Sequence, residues 1–199
     1  MIISNKYQFI HLHKCGGSTI AFMLMNYFDG CRHGGIHNSE NYNNQPIIGC
    51  IRNPFSWYVS LWSYGLEGKG QIYEEILKDY PELIGRFYTR FDDLAAFQHW
   101  LEFLIGDKTI GLLTKRMRKL YFHANRFCLD YIIYQENLED DFKRIMKQLG
   151  YSRNYVDNMD IEAKNQSYHL PFMQYYTPLH KELVLSKDKE VFMLFYKDA

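Results

Sequence analysis

Two short stretches of this chain carry the residue types that hold and activate anions. The first, His13-Lys14-Cys15-Gly16-Gly17-Ser18-Thr19, combines a lysine, two glycines and two hydroxyls. It follows the β-forming run Tyr7 to Leu12 and precedes Ile20, Leu24, Tyr27 and Phe28 at helical spacing, so it joins a strand to a helix N-terminus. Amides and the helix dipole at such a point attract negative charge. The order is not that of a Walker A loop, in which the lysine follows the last glycine beside a Mg²⁺-binding hydroxyl; here Lys14 precedes both glycines. An ordinary turn with glycines for geometry is the other reading of this loop taken alone. The second stretch places Arg52 at the end of the apolar run Pro46 to Ile51 and Ser60 eight residues further on, about two turns into the next helix. A guanidinium fork and a hydroxyl suit a phosphate. Together the two stretches suggest a ligand with two separated anionic groups.

The elements that must position these residues alternate in type. Strands are expected at Tyr7–Leu12, Pro46–Ile51 and Asp130–Gln135. Helices are expected after each anion-binding stretch, over Gln71–Tyr80 and Asp92–Ile105, from an Asn137 cap to Leu149, and from Thr177-Pro178 to about Tyr196. Strands separated by helices, without repeats or linkers, predict one α/β domain over residues 1–199, a three-layer sandwich around a central parallel sheet. Ligands in such sheets bind at the carboxyl ends of the strands, where both stretches fall.

These residues resemble the sulfotransferases that use 3′-phosphoadenosine 5′-phosphosulfate (PAPS). Phe9-Ile-His-Leu-His-Lys-Cys-Gly-Gly-Ser-Thr19 is similar to that family's 5′-phosphosulfate loop, and Ile51-Arg-Asn-Pro-Phe-Ser-Trp-Tyr-Val-Ser60 to its 3′-phosphate motif. Ile132 to Phe142, Asn165-Gln-Ser167 and Tyr175-Tyr-Thr177 are similar to bacterial carbohydrate sulfotransferase-like proteins. The resemblance implies a P-loop-NTPase-like fold and a sulfuryl donor, PAPS, leaving as 3′-phosphoadenosine 5′-phosphate (PAP). It also implies donor contacts from Lys14, Cys15, Gly16, Gly17, Ser18, Thr19, Arg52 and Ser60. The expected acceptor is a hydroxyl of a saccharide, glycolipid or small molecule. His13 stands where the family usually has Pro and Cys15 where Thr or Ser is common. The Arg-Lys-Gly segment of the cytosolic hormone-and-phenol branch is absent.

In-line sulfuryl transfer needs a cation at the leaving oxygen, here Lys14, and a base for the acceptor hydroxyl. His33 is the expected base, with His37 and Glu40 as alternatives and the Glu74–Glu75 pair more distant. A sulfuryl group carries less charge than a phosphoryl group, so no metal is expected, and neither His11/His13 nor His33/His37 comes with a third ligand at a recognisable spacing. A P-loop kinase or hydrolase, or a non-catalytic nucleotide-binding relative, remains the competing reading. Lys115-Arg-Met-Arg-Lys119 is a solvated helix face or, alternatively, a receiver of an anionic acceptor. Trp57, Tyr58, Trp62 and Tyr64 belong to the core or line an acceptor pocket.

The whole-chain totals, 23 Lys+Arg against 23 Asp+Glu with 47% hydrophobic and 17% aromatic residues, exclude a uniformly basic nucleic-acid binder and a disordered chain. They point to a small or weakly charged acceptor rather than a long polyanion. Four cysteines without paired spacing, no apolar leader and no membrane-length window predict a soluble cytoplasmic protein with reduced thiols.

Overall fold

A computed structural model describes residues 1–34, 44–161 and 167–197. His37 and Glu40, and Asn165 and Gln166 of the downstream stretch, lie outside the described residues. In chain order the strands are β1 (Ile2–Ile3), β2 (Gln8–Ile10), β3 (Arg32–His33), β4 (Ile47–Ile51), β5 (Phe122–His123), β6 (Arg126–Phe127) and β7 (Tyr131–Tyr134). The helices are α1 (Gly17–Tyr27), α2 (Pro54–Leu66), α3 (Gln71–Asp79), α4 (Ile84–Phe87), α5 (Leu94–Ile105), α6 (Leu112–Tyr121), α7 (Leu138–Gln148), α8 (Arg153–Asp157), α9 (Pro178–Lys187) and α10 (Lys189–Phe195). The chain divides into two compact units, Met1–Arg52 with Arg116–Gln166 and Asn53–Lys115 with Ser167–Ala199.

The first unit is built on a five-stranded sheet in the order β3-β1-β2-β4-β7. Strands β2, β4 and β7 run parallel, with Phe9 opposite Ile48 and Ile48 opposite Tyr131. The expected all-parallel sheet is corrected by β1, which pairs antiparallel with both β2 and β3 and makes the sheet mixed. The interior strand β4, Ile-Ile-Gly-Cys-Ile, is buried along its whole length, as an apolar run covered on both faces must be. Against the sheet pack the buried residues of α1 (Ile20, Met23, Leu24) and of α7 (Phe142, Ile145, Met146). Three acids fill the first turn of α7, favourable beside the helix dipole. Asn137 occupies the N-cap position of α7 as predicted but makes no side-chain cap bond. Instead Asp141 reaches back to accept from the Tyr134 amide at the end of β7, at 3.0 Å.

The second unit is helical and aromatic. Asn53 caps α2 by accepting from the Phe55 amide, with Pro54 at the first helical position. Asp93 caps α5 through Ala96, and Thr177 caps α9 through His180. Trp57, Tyr58 and Trp62 are fully buried, so these three rings are core rather than an acceptor wall. The Trp62 indole donates to the Phe87 carbonyl at 2.7 Å and packs edge-on against Phe97 and Tyr175. Among the described residues no helix is long and apolar enough to cross a membrane.

Candidate functional site

The loop after β2 turns sharply. Lys14 and Gly16 both adopt left-handed backbone conformations, φ 64° and 77°, and enclose Cys15, which is fully buried with its thiol directed at the His13 carbonyl. For a lysine this conformation costs on the order of 1 kcal/mol, the kind of local strain that collects at ligand sites. Helix α1 then starts at Gly17, with Gly16 at the cap position and no side chain capping it. The amides of the first turn, Gly17 and Ser18 among them, lack partners within the helix. The Gly17 and Ser18 amides can therefore be offered to an anion, and Ser18 is exposed while Thr19 is buried.

Neither glycine is replaceable. A Cβ on Gly17 would overlap the His11 imidazole, and one on Gly16 would overlap Leu138 of α7. The glycines thus let the loop lie directly under these two side chains. Gly17→Ala is expected to destabilise the fold by about 1–3 kcal/mol, the usual cost of overpacking. Chemical denaturation checks this, and His11→Ala in the same chain should recover part of the loss because the clash is with that ring.

Three loops at the carboxyl ends of adjacent parallel strands meet here. From the end of β4, Arg52 donates through Nη1 to the Lys14 carbonyl at 3.4 Å. From the end of β7, Gln135 lies beside the Gly16 backbone and the Glu136 charge is felt at Cys15. Burial and the neighbouring Cys50 push the Cys15 thiol well up, against the pull of Arg52 and Lys14. Cys15 is therefore a protonated, non-nucleophilic thiol.

A fourth element, α6, reaches the same place. The Tyr121 hydroxyl accepts from the Cys50 amide at 3.0 Å and donates to the Cys50 carbonyl. Arg116, on the preceding turn, is half-buried, and its charge acts on His13. Burial first, then Arg116, Lys14 and His11, lower the His13 imidazole from 6.5 to about 4. It is neutral at physiological pH and bordered by cations.

Lys14, Cys15, Gly16, Gly17, Ser18, Thr19 and Arg52 are therefore brought together at one end of the first unit's sheet. Ser60 belongs to the second unit, where it is buried on α2 and hydrogen-bonded to the Ser167 hydroxyl at 3.2 Å. His33 is not brought to the loop. It is exposed on the outermost strand β3, opposite Ile2, which is in turn opposite Phe9. Two strand spacings, about 10 Å, separate it from the body of β2, and the loop lies further along. Sequence reasoning placed His13 in the loop without giving it a role as a base, missed Tyr121 and left Arg116 inside an undifferentiated basic run. The available signal was the apolar series Leu113, Met117, Tyr121 at four-residue spacing, which fixes the buried face of α6. Among the described residues no group of three or more His, Cys, Asp or Glu side chains could hold a metal ion.

Comparison with family models, with curated proteins and with solved structures gives no match to the chain.

Proposed function

We propose that this chain is a PAPS-dependent sulfotransferase of P-loop-like three-layer fold, moving a sulfuryl group to a hydroxyl of a saccharide, glycolipid or small molecule. One observation carries the reading: the Arg52 guanidinium reaches the Lys14 carbonyl beside an uncapped helix N-terminus, where adjacent parallel strands end. The donor set of that loop, backbone amides plus two cations, fits an anion.

In this reading the first-turn amides of α1 and the Ser18 and Thr19 hydroxyls hold the 5′ end of the donor, and Arg52 serves the 3′-phosphate. Bound PAPS supplies an activated sulfuryl group. Lys14 neutralises the charge that grows on the leaving oxygen. His13 accepts the proton of the acceptor hydroxyl at Nδ1 or Nε2. An anion bound between Lys14 and Arg116 would offset the part of the His13 depression that their charges cause, leaving the larger part that burial causes.

PAP should stabilise the protein without Mg²⁺, by about 2.7 kcal/mol at a hundredfold excess over its Kd, read as a thermal shift. Arg52→Ala is expected to weaken that binding about tenfold or more, since it removes a charge-assisted contact. The absence of any shift at millimolar PAP would sink the proposal. A shift produced only by ATP with Mg²⁺ would move the chain to the kinase or hydrolase class.

A further inference from the structure

The second unit carries a hydroxyl, an imidazole and a carboxylate in series. Thr177 Oγ1 lies 2.7 Å from His180 Nδ1, and His180 Nε2 lies 3.0 Å from Glu102 Oε1. His180 is buried on α9, 5% exposed, while Glu102 reaches it from α5 with its own side chain half exposed. Gln98, one turn before Glu102, donates to the Tyr175 carbonyl at 3.0 Å, which ties α5 to the segment leading into Thr177. The three groups therefore come from two elements that hold each other in place.

The carboxylate decides the tautomer. Ionised Glu102 only accepts, so in the neutral ring Nε2 carries the proton and Nδ1 keeps a lone pair. The Thr177 hydroxyl then donates to Nδ1, which aligns a nucleophile with its base and the base with an orienting carboxylate. Capping of α9 does not account for this. The cap bond from the His180 amide to Thr177 Oγ1 is 3.4 Å long, so the hydroxyl sits closer to the ring than to the amide. One lone pair of Oγ1 serves that amide, and the other is left for an electrophile. Pro178 has no amide proton, and among the described residues the Leu179 amide has no acceptor, as the first turn of a helix leaves such donors. It stands two positions from Thr177, where an oxyanion donor is needed.

We infer that Thr177, His180 and Glu102 form an esterase site for neutral carboxylic esters, with Thr177 as nucleophile, His180 as base and Glu102 as positioning residue. This activity is independent of sulfuryl transfer and needs no PAPS. Thr177 Oγ1 bonds to the ester carbonyl carbon while its proton passes to His180 Nδ1, and the Leu179 amide receives the oxyanion that forms. Collapse breaks the bond to the alcohol oxygen, which leaves with the proton from Nδ1, and the acyl group stays on Thr177. Water then attacks the acyl-threonine and gives its proton to Nδ1. Cleavage of the threonine ester returns that proton to Oγ1 and releases the carboxylic acid, so the two halves sum to hydrolysis of one ester by one water. Glu102 places a negative charge beside the ring, which opposes an anionic ester. Leu179, 67% exposed, offers apolar surface to the acyl chain.

The test is rapid mixing of the full chain with p-nitrophenyl acetate in the absence of PAPS. It should give a burst of p-nitrophenol followed by slower turnover, and acid quenching should leave one acetyl group on the peptide that contains Thr177. Thr177→Asn keeps an N-cap residue but removes the nucleophile, so its melting temperature should hold while burst and acetylated peptide are both lost. Thr177→Ser should retain both; if Thr177→Asn melts lower, the serine variant and the position of the acetyl group decide. Glu102→Gln removes a charge-assisted contact to the ring and should lower kcat about tenfold or more with KM unchanged. No burst, acetyl recovered on another side chain, a Thr177→Asn rate equal to wild type, an unchanged kcat in Glu102→Gln, or a wild-type rate no greater than that of free imidazole at the same concentration would overturn the inference. The PAP thermal shift is read separately, so failure of the esterase and failure of the sulfotransferase reading give different results.

Discussion

Replacing Lys14 with alanine is expected to lower sulfuryl transfer by about 10²–10³-fold, the scale on which a preorganised electrostatic contact to the reacting oxygen acts. Amides of the first turn of α1 would remain, so PAP should still shift the melting temperature of the variant. Turnover and nucleotide binding therefore separate at this residue, whereas Arg52→Ala should affect mainly binding. A second substitution isolates the charge from the backbone. Lys14 holds a left-handed conformation, φ 64°, that glycine adopts without penalty. Lys14→Gly should thus be inactive like Lys14→Ala and yet fold with no loss of stability. Initial rates with PAPS and an acceptor panel, set beside denaturation midpoints, check both. Activity retained in Lys14→Ala would remove the lysine from the chemistry.

The largest loss of stability is expected in the second unit, from Asp188→Ala. Asp188 is fully buried and has no cationic partner among its hydrogen bonds. Its carboxylate accepts from the Tyr58 hydroxyl at 2.6 Å, from the Thr114 amide at 2.7 Å and from the Thr114 hydroxyl at 2.8 Å. Tyr58 in turn accepts from the Leu112 amide, and Gly111 lies so close that any Cβ there would overlap the carboxylate. Alanine at 188 would strand three buried donors at about 1–3 kcal/mol each, and sharing among them brings the expected total to about 3–5 kcal/mol. Asp188→Asn keeps one acceptor oxygen and should cost less.

Burial raises the Asp188 carboxyl above its ordinary value, and the hydrogen bonds from Tyr58 and Thr114 only partly offset this. Between the unfolded value, about 3.9, and the raised folded one, the native state binds more protons than the unfolded state. The contribution of Asp188 is therefore full below that window and is lost as pH rises through it. In Asp188→Asn this slope should vanish, which urea midpoints across the acid range would show.

Legibility in the sequence followed the length and regularity of each element. Strands β2, β4 and β7 were readable because four to six β-forming residues stand between turn residues, and α2, α5 and α9 because Asn53, Asp93 and Thr177 announce their starts. Strands β1 and β3, at two residues each, are too short for any period to register. They form because β1 has the body of β2 to pair with, a tertiary cause invisible along the chain. The same pairing decides the fate of His33, which a linear reading brings near the loop and the sheet carries to its outer edge. The sequence places His13 in the loop but not its neutral state, which comes from burial and from Arg116, far along the chain, whose direction depends on which face of α6 is buried. Ser60 was legible as a residue two turns into a helix, but its bond to Ser167 joins distant segments and has no local signature.

The hydrogen bonds between Tyr121 and Cys50 bear on how the first unit opens. Ladder pairing between β2 and β4 ends at Ile10 and Gly49, one residue short of Cys50. A phenol from α6 stands in for the missing strand residue, engaging both the amide and the carbonyl of Cys50. Releasing α6 from the sheet would leave both backbone groups without those bonds in a buried setting, so a local opening of the helix cannot proceed cheaply on its own. The rim of the sheet, the strained loop and the cationic helix face are thereby coupled into one cooperative unit. A ligand held by the loop would stabilise α6 as well, and loosening α6 would weaken that ligand by the same free energy.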